Sequence, residues 1–195
     1  MKKASKTKMV ILTAVLLIGA ISAGAVEGSF FASGANSATA VIPKQDGTIV
    51  DDNIYLSIAT NVTVTIQRAK VSAPASAAST GTTITLPTTA TNTIGGILLT
   101  TSDYLIVGGT LLDIAALTPA SATSTVVSNT ASATVELKEP VYVCDQADII
   151  QFAGKTTMTT AIPDVFTGFR NNPVAIVVPT GSGATLLSGR YTVKK

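Results

Sequence analysis

The sequence predicts an all-β fold, a two-sheet sandwich or jelly-roll-like domain behind an N-terminal signal segment, and three observations carry that expectation. Apolar residues alternate with polar ones over short runs, which is the period of a strand with one buried side. Thr, Ser, Ala and Asn fill the stretches between those runs, and short hydroxylated side chains suit strands and turns better than helices. No window beyond the signal sustains a helical period, although Leu111 to Leu117 has enough apolar residues for one or two turns.

The elements follow in chain order. Asn53 to Ala59 places Ile54, Leu56 and Ile58 on one face, and Val62 to Ile66 sets three β-branched aliphatics against two threonines. Further strands are expected at Thr83 to Leu86, Ile97 to Leu99, Tyr104 to Val107, Thr110 to Ile114, Thr123 to Val127, Ala133 to Lys138 and Val141 to Cys144. The series closes with Ile149 to Ala153, Val174 to Val178, and Leu186 to Val193, the last carrying Gly189 as a candidate bulge. Strands at this spacing favour antiparallel pairing in two layers. Ser72 to Thr93, rich in Ala, Ser and Thr with Pro74 and Pro87, reads as a long exposed loop around one short strand. The Pro119 to Thr123 stretch reads as a similar turn. Gly95-Gly96 and Gly108-Gly109 read as hairpin or loop glycines, because no helix follows to make a phosphate cradle of them.

At 195 residues the chain suits one domain with a tail. The division expected is a signal peptide over 1–25, an N-terminal segment over 26–42, and a β-sandwich domain over 43–195. Lys2, Lys3, Lys6 and Lys8 precede the uncharged, largely apolar run Met9 to Ala20, and Ala23-Gly24-Ala25 offers a peptidase site. Export follows, to the cell surface or the medium. Two other readings stay open. One is a retained anchor, since Met9 to Val26 is 18 residues long, near the lower limit for a span. The other is a type IV pilin stalk, against which Gly28 and Gly34 count.

Composition narrows the chemistry. Hydrophobic residues make up 46% of the chain and charged residues 12%, against roughly 25% charged in an average soluble protein. There is no His, so the commonest general base and the usual neutral metal ligand are missing. We therefore expect no enzyme. Cys144 is the single cysteine, so no disulfide forms within one chain, and it reads as a small buried hydrophobe. Without the four signal lysines the remaining chain carries nine basic against 11 acidic residues. Nucleic acid is not an expected partner.

Two acidic pairs are the candidate metal ligands. Asp51-Asp52, followed by Asn53, and Asp145 with Asp148 around Gln146 present the hard oxygens that calcium prefers. The competing reading of each is a solvated turn, because the repeated ligand spacing of a dedicated calcium loop is absent. No other cofactor is expected. Ser182 in Gly181-Ser182-Gly183 lacks both the nucleophile-elbow pattern and a histidine base, so a turn accounts for it. Asn61-Val62-Thr63 is the one glycosylation sequon.

Immediately after the signal comes Ser29-Phe30-Phe31-Ala32-Ser33-Gly34, and no charge interrupts Ser29 to Ile42. Over about fifteen residues this stretch resembles the start of mature camelysin-type matrix fibre subunits and of archaeal cannula subunits. The resemblance implies donor-strand assembly, in which an N-terminal strand fills a groove in the next copy. Phe30, Phe31, Ala32 and Val41 are then the assembly residues, and the partner is the chain itself as a homopolymer. The alternatives are a strand that pairs within its own subunit and a tail. At the level of function, the alternatives to a filament, tube or sheath subunit are a virion coat or surface-layer protein and an extracytoplasmic binding or adhesion module.

Overall fold

The structure, a computed structural model, describes residues 25–152, 155–163 and 165–195, with side chains described for 25–146 and 165–195. The signal segment expected over 1–25 therefore lies, but for Ala25, outside the described residues. Every regular element described is a strand. The first seven are β1 (Ala25–Gly34), β2 (Ala38–Ile42), β3 (Thr48–Ile58), β4 (Val62–Pro74), β5 (Thr83–Pro87), β6 (Thr93–Ile94) and β7 (Ile97–Leu98). The rest are β8 (Tyr104–Val107), β9 (Thr110–Ser121), β10 (Ser124–Asn129), β11 (Pro140–Phe152), β12 (Lys155–Pro163), β13 (Val174–Val178) and β14 (Thr185–Lys194).

They form a four-stranded sheet in the order β1-β14-β3-β12 and a curled eight-stranded sheet in the order β2-β13-β4-β11-β8-β9-β10-β5. The fold is all-β and sandwich-like, and every pairing is antiparallel. Alternation decides what each strand buries. Ile54, Leu56 and Ile58 of β3 and Leu187 and Val193 of β14 point inward onto Ile42, Ile66 and Ile176 of the larger sheet, with Phe166 fully enclosed between them. A second core fills the curl of the larger sheet, where Ile84, Leu86, Leu105, Leu112, Val127, Val141 and Val143 meet. Residues of the opposite parity, Ala69, Ile106, Cys144 and Ala175, pack on its other face.

The glycine pairs behave as hairpin turns. Gly95-Gly96 joins Ile94 to Ile97 and Gly108-Gly109 joins Val107 to Thr110, all four with positive φ, as two-residue primed turns require.

Several expectations are corrected. Ala133 to Lys138 is not a strand: it carries a single bridge, Ser79↔Val135, and runs irregularly beside residues 75–81. Leu111 to Leu117 makes no helical turn, because β9 is paired on both sides, by β8 and β10, and continues through Pro119. The Asp145 to Asp148 stretch is not a turn either; it lies inside β11, which a register shift between Gln146 and Asp148 carries onward along β4. Asp51 and Asp52 sit within β3 and not in a solvated turn before it. Gly189 is no bulge, since the register shift in β14 falls between Thr192 and Val193. Ser72 to Thr93 is less open than expected, with β4 reaching Pro74 and Thr88 and Ala73 buried.

Candidate functional site: the seat of the first strand

The N-terminal segment is shared between the two sheets. Strand β1 closes one edge of the four-stranded sheet on β14, and β2 closes one edge of the larger sheet on β13. The β1–β14 ladder runs without a shift from Ala25↔Lys194 to Gly34↔Thr185, pairing the first described strand with the last. In this structure the segment expected to act as a donor strand is thus paired within its own subunit.

Side chains of even number on β1 face the core, and two of them interlock with β14 in a reciprocal way. Gly28 lies opposite Tyr191, and a β-carbon on Gly28 would fall inside the Tyr191 ring. One step along, Phe30 lies opposite Gly189, and a β-carbon there would fall inside the Phe30 ring. Each strand therefore supplies one aromatic knob and one glycine hole. A two-residue slip would set Phe30 against Tyr191 or Leu187, where no such hole exists, so the pairs fix the register.

Beneath the ladder an aromatic chain ties β1 to the interior. Phe30 meets Phe166 edge-on at 6.3 Å between centroids, Phe166 meets Phe169 at 6.0 Å, and the Arg68 guanidinium lies 4.3 Å above the Phe169 ring. Phe166 is held there by Asp52. The Asp52 carboxylate is 1% exposed; Oδ1 accepts from the Val165 amide at 2.9 Å and Oδ2 from the Phe166 amide at 2.7 Å. Thr167 Oγ1 adds a longer bond at 3.3 Å. A buried carboxylate is retained because backbone donors satisfy it, and their alignment turns the following loop inward.

The connector of residues 35–37 is clasped to the turn before β14. Asn36 Oδ1 accepts from the Gly181 amide at 3.0 Å, and the Asn36 carbonyl accepts from the Ser182 amide at 3.2 Å and from Ser182 Oγ at 2.8 Å. Ser182, read from sequence as a turn residue, is fully buried and also bonds Thr185 Oγ1 at 2.7 Å.

The expected assembly residues do not form one cluster. Phe30 and Ala32 are half-buried and pack on the core between the sheets. Phe31 points the other way and is 67% exposed. Val41 belongs to β2 and packs on the outer face of the larger sheet beside Ala175.

The expected metal ligands are dispersed as well. Asp52 is engaged as above, and Asp51 points outward from the same strand. Asp145 lies exposed in the other sheet opposite Arg68, and Asp148 is known only by its backbone pairing to Ile66. Among the described residues no three His, Cys, Asp or Glu side chains come together as a metal site. Burial, with the Asp145 and Asp103 charges close by, pushes the Cys144 thiol up to about 12. It stays protonated at neutral pH. Asp103 is itself buried and paired with Lys70 at 2.5 Å.

The Gly28–Tyr191 and Phe30–Gly189 pairs and the Asn36–Ser182 clasp were not legible in the sequence, because their partners stand more than a hundred residues apart. Comparison with protein-family models, curated proteins and solved structures found no match to this chain.

Proposed function

We propose that this chain is a secreted structural subunit that self-assembles into an extracellular filament, tube or sheath, each copy donating β1 to the β14 edge of the next. The observation that supports the reading is how β1 is attached. It is bonded through one edge only, it buries one face with half-buried side chains, and its register is set by two knob-and-hole pairs that a second copy's β1 satisfies equally well. The intramolecular ladder is then the closed form of an isolated subunit, and the same ladder made between copies is the open form. A head-to-tail contact of this kind propagates unless it closes into a ring.

Strand β2 stays with its own subunit in this scheme. Ala38, Ala40 and Ile42 are buried in the main core, so their removal would open it, whereas β1 closes only an edge. The experiment is therefore deletion of residues 26–34 alone, followed by negative-stain microscopy. The truncated chain should fold, form no filaments, and bind a synthetic peptide spanning Val26 to Gly34. Native-looking filaments from the folded truncated chain would show that β1 is not the donor.

A further inference from the structure

We infer that the outer face of the four-stranded sheet is a second contact surface between copies of this chain, one that exists only once β1 is seated on β14. The ladders order this face into rows. Phe31, Ser188 and Tyr55 form one; Ser29, Arg190 and Asn53 the next; Glu27, Thr192 and Asp51 the third. The second and third rows, with Tyr55 of the first, line a shallow hollow of about 540 Å³, and Phe31 and Ser188 line a neighbouring one that shares Ser29, Tyr55 and Arg190.

Two features point to a copy of the same chain as the occupant. First, the charges are complementary but unmatched: Arg190, Glu27 and Asp51 are all exposed, and Arg190 makes no ion pair with either acid although they occupy the adjacent row. A two-fold axis lying parallel to the sheet, along the rows and between these two, sets each Arg190 over the other copy's Thr192, flanked by Glu27 and Asp51, so the surface is complementary to itself. Second, large apolar side chains are exposed beside the charged rows. Phe31 is 67% exposed and its diagonal neighbour Leu186 39%. An aromatic and a leucine next to a charged border are what a small interface needs to exclude water.

Strand β1 contributes Glu27 and Phe31, whereas Arg190 and Leu186 come from β14 and Asp51 and Tyr55 from β3. The face is incomplete until β1 docks, whether from the same copy or from a neighbour. In the proposed polymer, lateral contact would thus be available to subunits that have received a strand and denied to those that have not. This coupling rests on the strand-donation reading, but the pairing itself does not.

Sedimentation velocity of the full mature chain tests it, comparing wild type, Arg190→Glu, and the double variant Glu27→Arg with Asp51→Arg, each alone and mixed. Wild type should self-associate, and raising the salt about tenfold should weaken that association by an order of magnitude or so. Each charge-reversed variant alone should lose it, and the two mixed should regain it. Arg190→Gln, which removes the charge without reversing it, serves if the reversal fails to fold. If donation is wrong but this face is right, wild type gives salt-sensitive closed dimers and no filaments. If donation alone is right, Arg190→Glu gives filaments bundled like wild type, which overturns the inference, as does a wild type that shows no lateral association.

Discussion

Phe30 stands directly across the β1–β14 ladder from Gly189, and its ring occupies the space that any side chain on Gly189 would need. Two residue pairs along the ladder the arrangement is mirrored, with Gly28 beneath the Tyr191 ring. Because β1 is held through one edge only, these contacts decide whether it is seated at all.

Gly189→Val should therefore unseat β1 while leaving the two cores intact. The overpacking costs about 1–3 kcal/mol if the strand remains in place, and less if it lets go. Hydrogen exchange should show residues 26–34 losing protection before any other strand. Adding Phe30→Ala should recover part of the loss, since it empties the space the valine needs, so the two changes should be clearly non-additive.

Asp52 anchors the loop that places Phe166 in the core. Asp52→Ala leaves two buried amides without acceptors and should destabilise the fold by about 2–4 kcal/mol. Asp52→Asn, which keeps one acceptor, should cost less. Denaturant unfolding measures both, and an Asp52→Ala chain as stable as wild type would remove Asp52 from this role.

The clasp between Asn36 and Ser182 sits at the hinge about which β1 would swing. Ser182→Ala removes the hydroxyl bonds to the Asn36 carbonyl and Thr185, and should speed release of β1 without altering its register. Stopped-flow capture of a labelled Val26 to Gly34 peptide should be several-fold faster in this variant.

Alkaline pH should weaken the fold. Burial raises the Cys144 thiol to about 12 from an ordinary 9 and raises the Tyr191 phenol as well, so both are held neutral in the folded chain. The stability that the neutral Cys144 thiol contributes is complete below about 9 and drains away as pH climbs from about 9 towards 12, by up to about 1.4 kcal/mol per pH unit, and the Tyr191 phenol acts in the same direction above its own ordinary value of 10. Cys144→Ala should flatten that decline, and the native thiol should resist alkylation at pH 8.

The legible part of the fold was the part set by local pattern. Val174 to Val178 is a continuous apolar run, and it is a strand with those bounds because both of its faces are covered. The double glycines marked their hairpins, since positive φ at two successive residues leaves few alternatives. Lys155–Pro163 was missed because its threonines show no alternation. Asp145 to Asp148 was read as a break, yet a register shift accommodates it within one long strand. Ala133 to Lys138 alternates correctly, but hydrogen bonds to residues 75–81 and the positive φ of Lys138 divert it from any sheet.

The candidate site was legible only in outline. The segment around Phe30 and Phe31 could be singled out for its aromatics among small residues, but not which of the two faced inward, because that depends on register against a strand at the far end of the chain. Asp52 draws attention as an oxygen ligand; its partners include two amides and the Thr167 hydroxyl, all more than a hundred residues away.

Strand donation is tested most directly by mixing two defective subunits. Phe30→Asp spoils the donor and leaves the β14 edge intact, since a carboxylate cannot be buried against Phe166 without a partner. Gly189→Val spoils that edge and leaves the donor intact. Neither variant alone should pair through the strand, and an equimolar mixture should yield dimers joined by one sound β1 in one sound seat, with no longer polymer, by sedimentation and by crosslinking of Ser29 to Arg190 positions carrying introduced cysteines. A mixture in which no such heterodimer forms, or a Phe30→Asp chain that polymerises like wild type, would contradict the account.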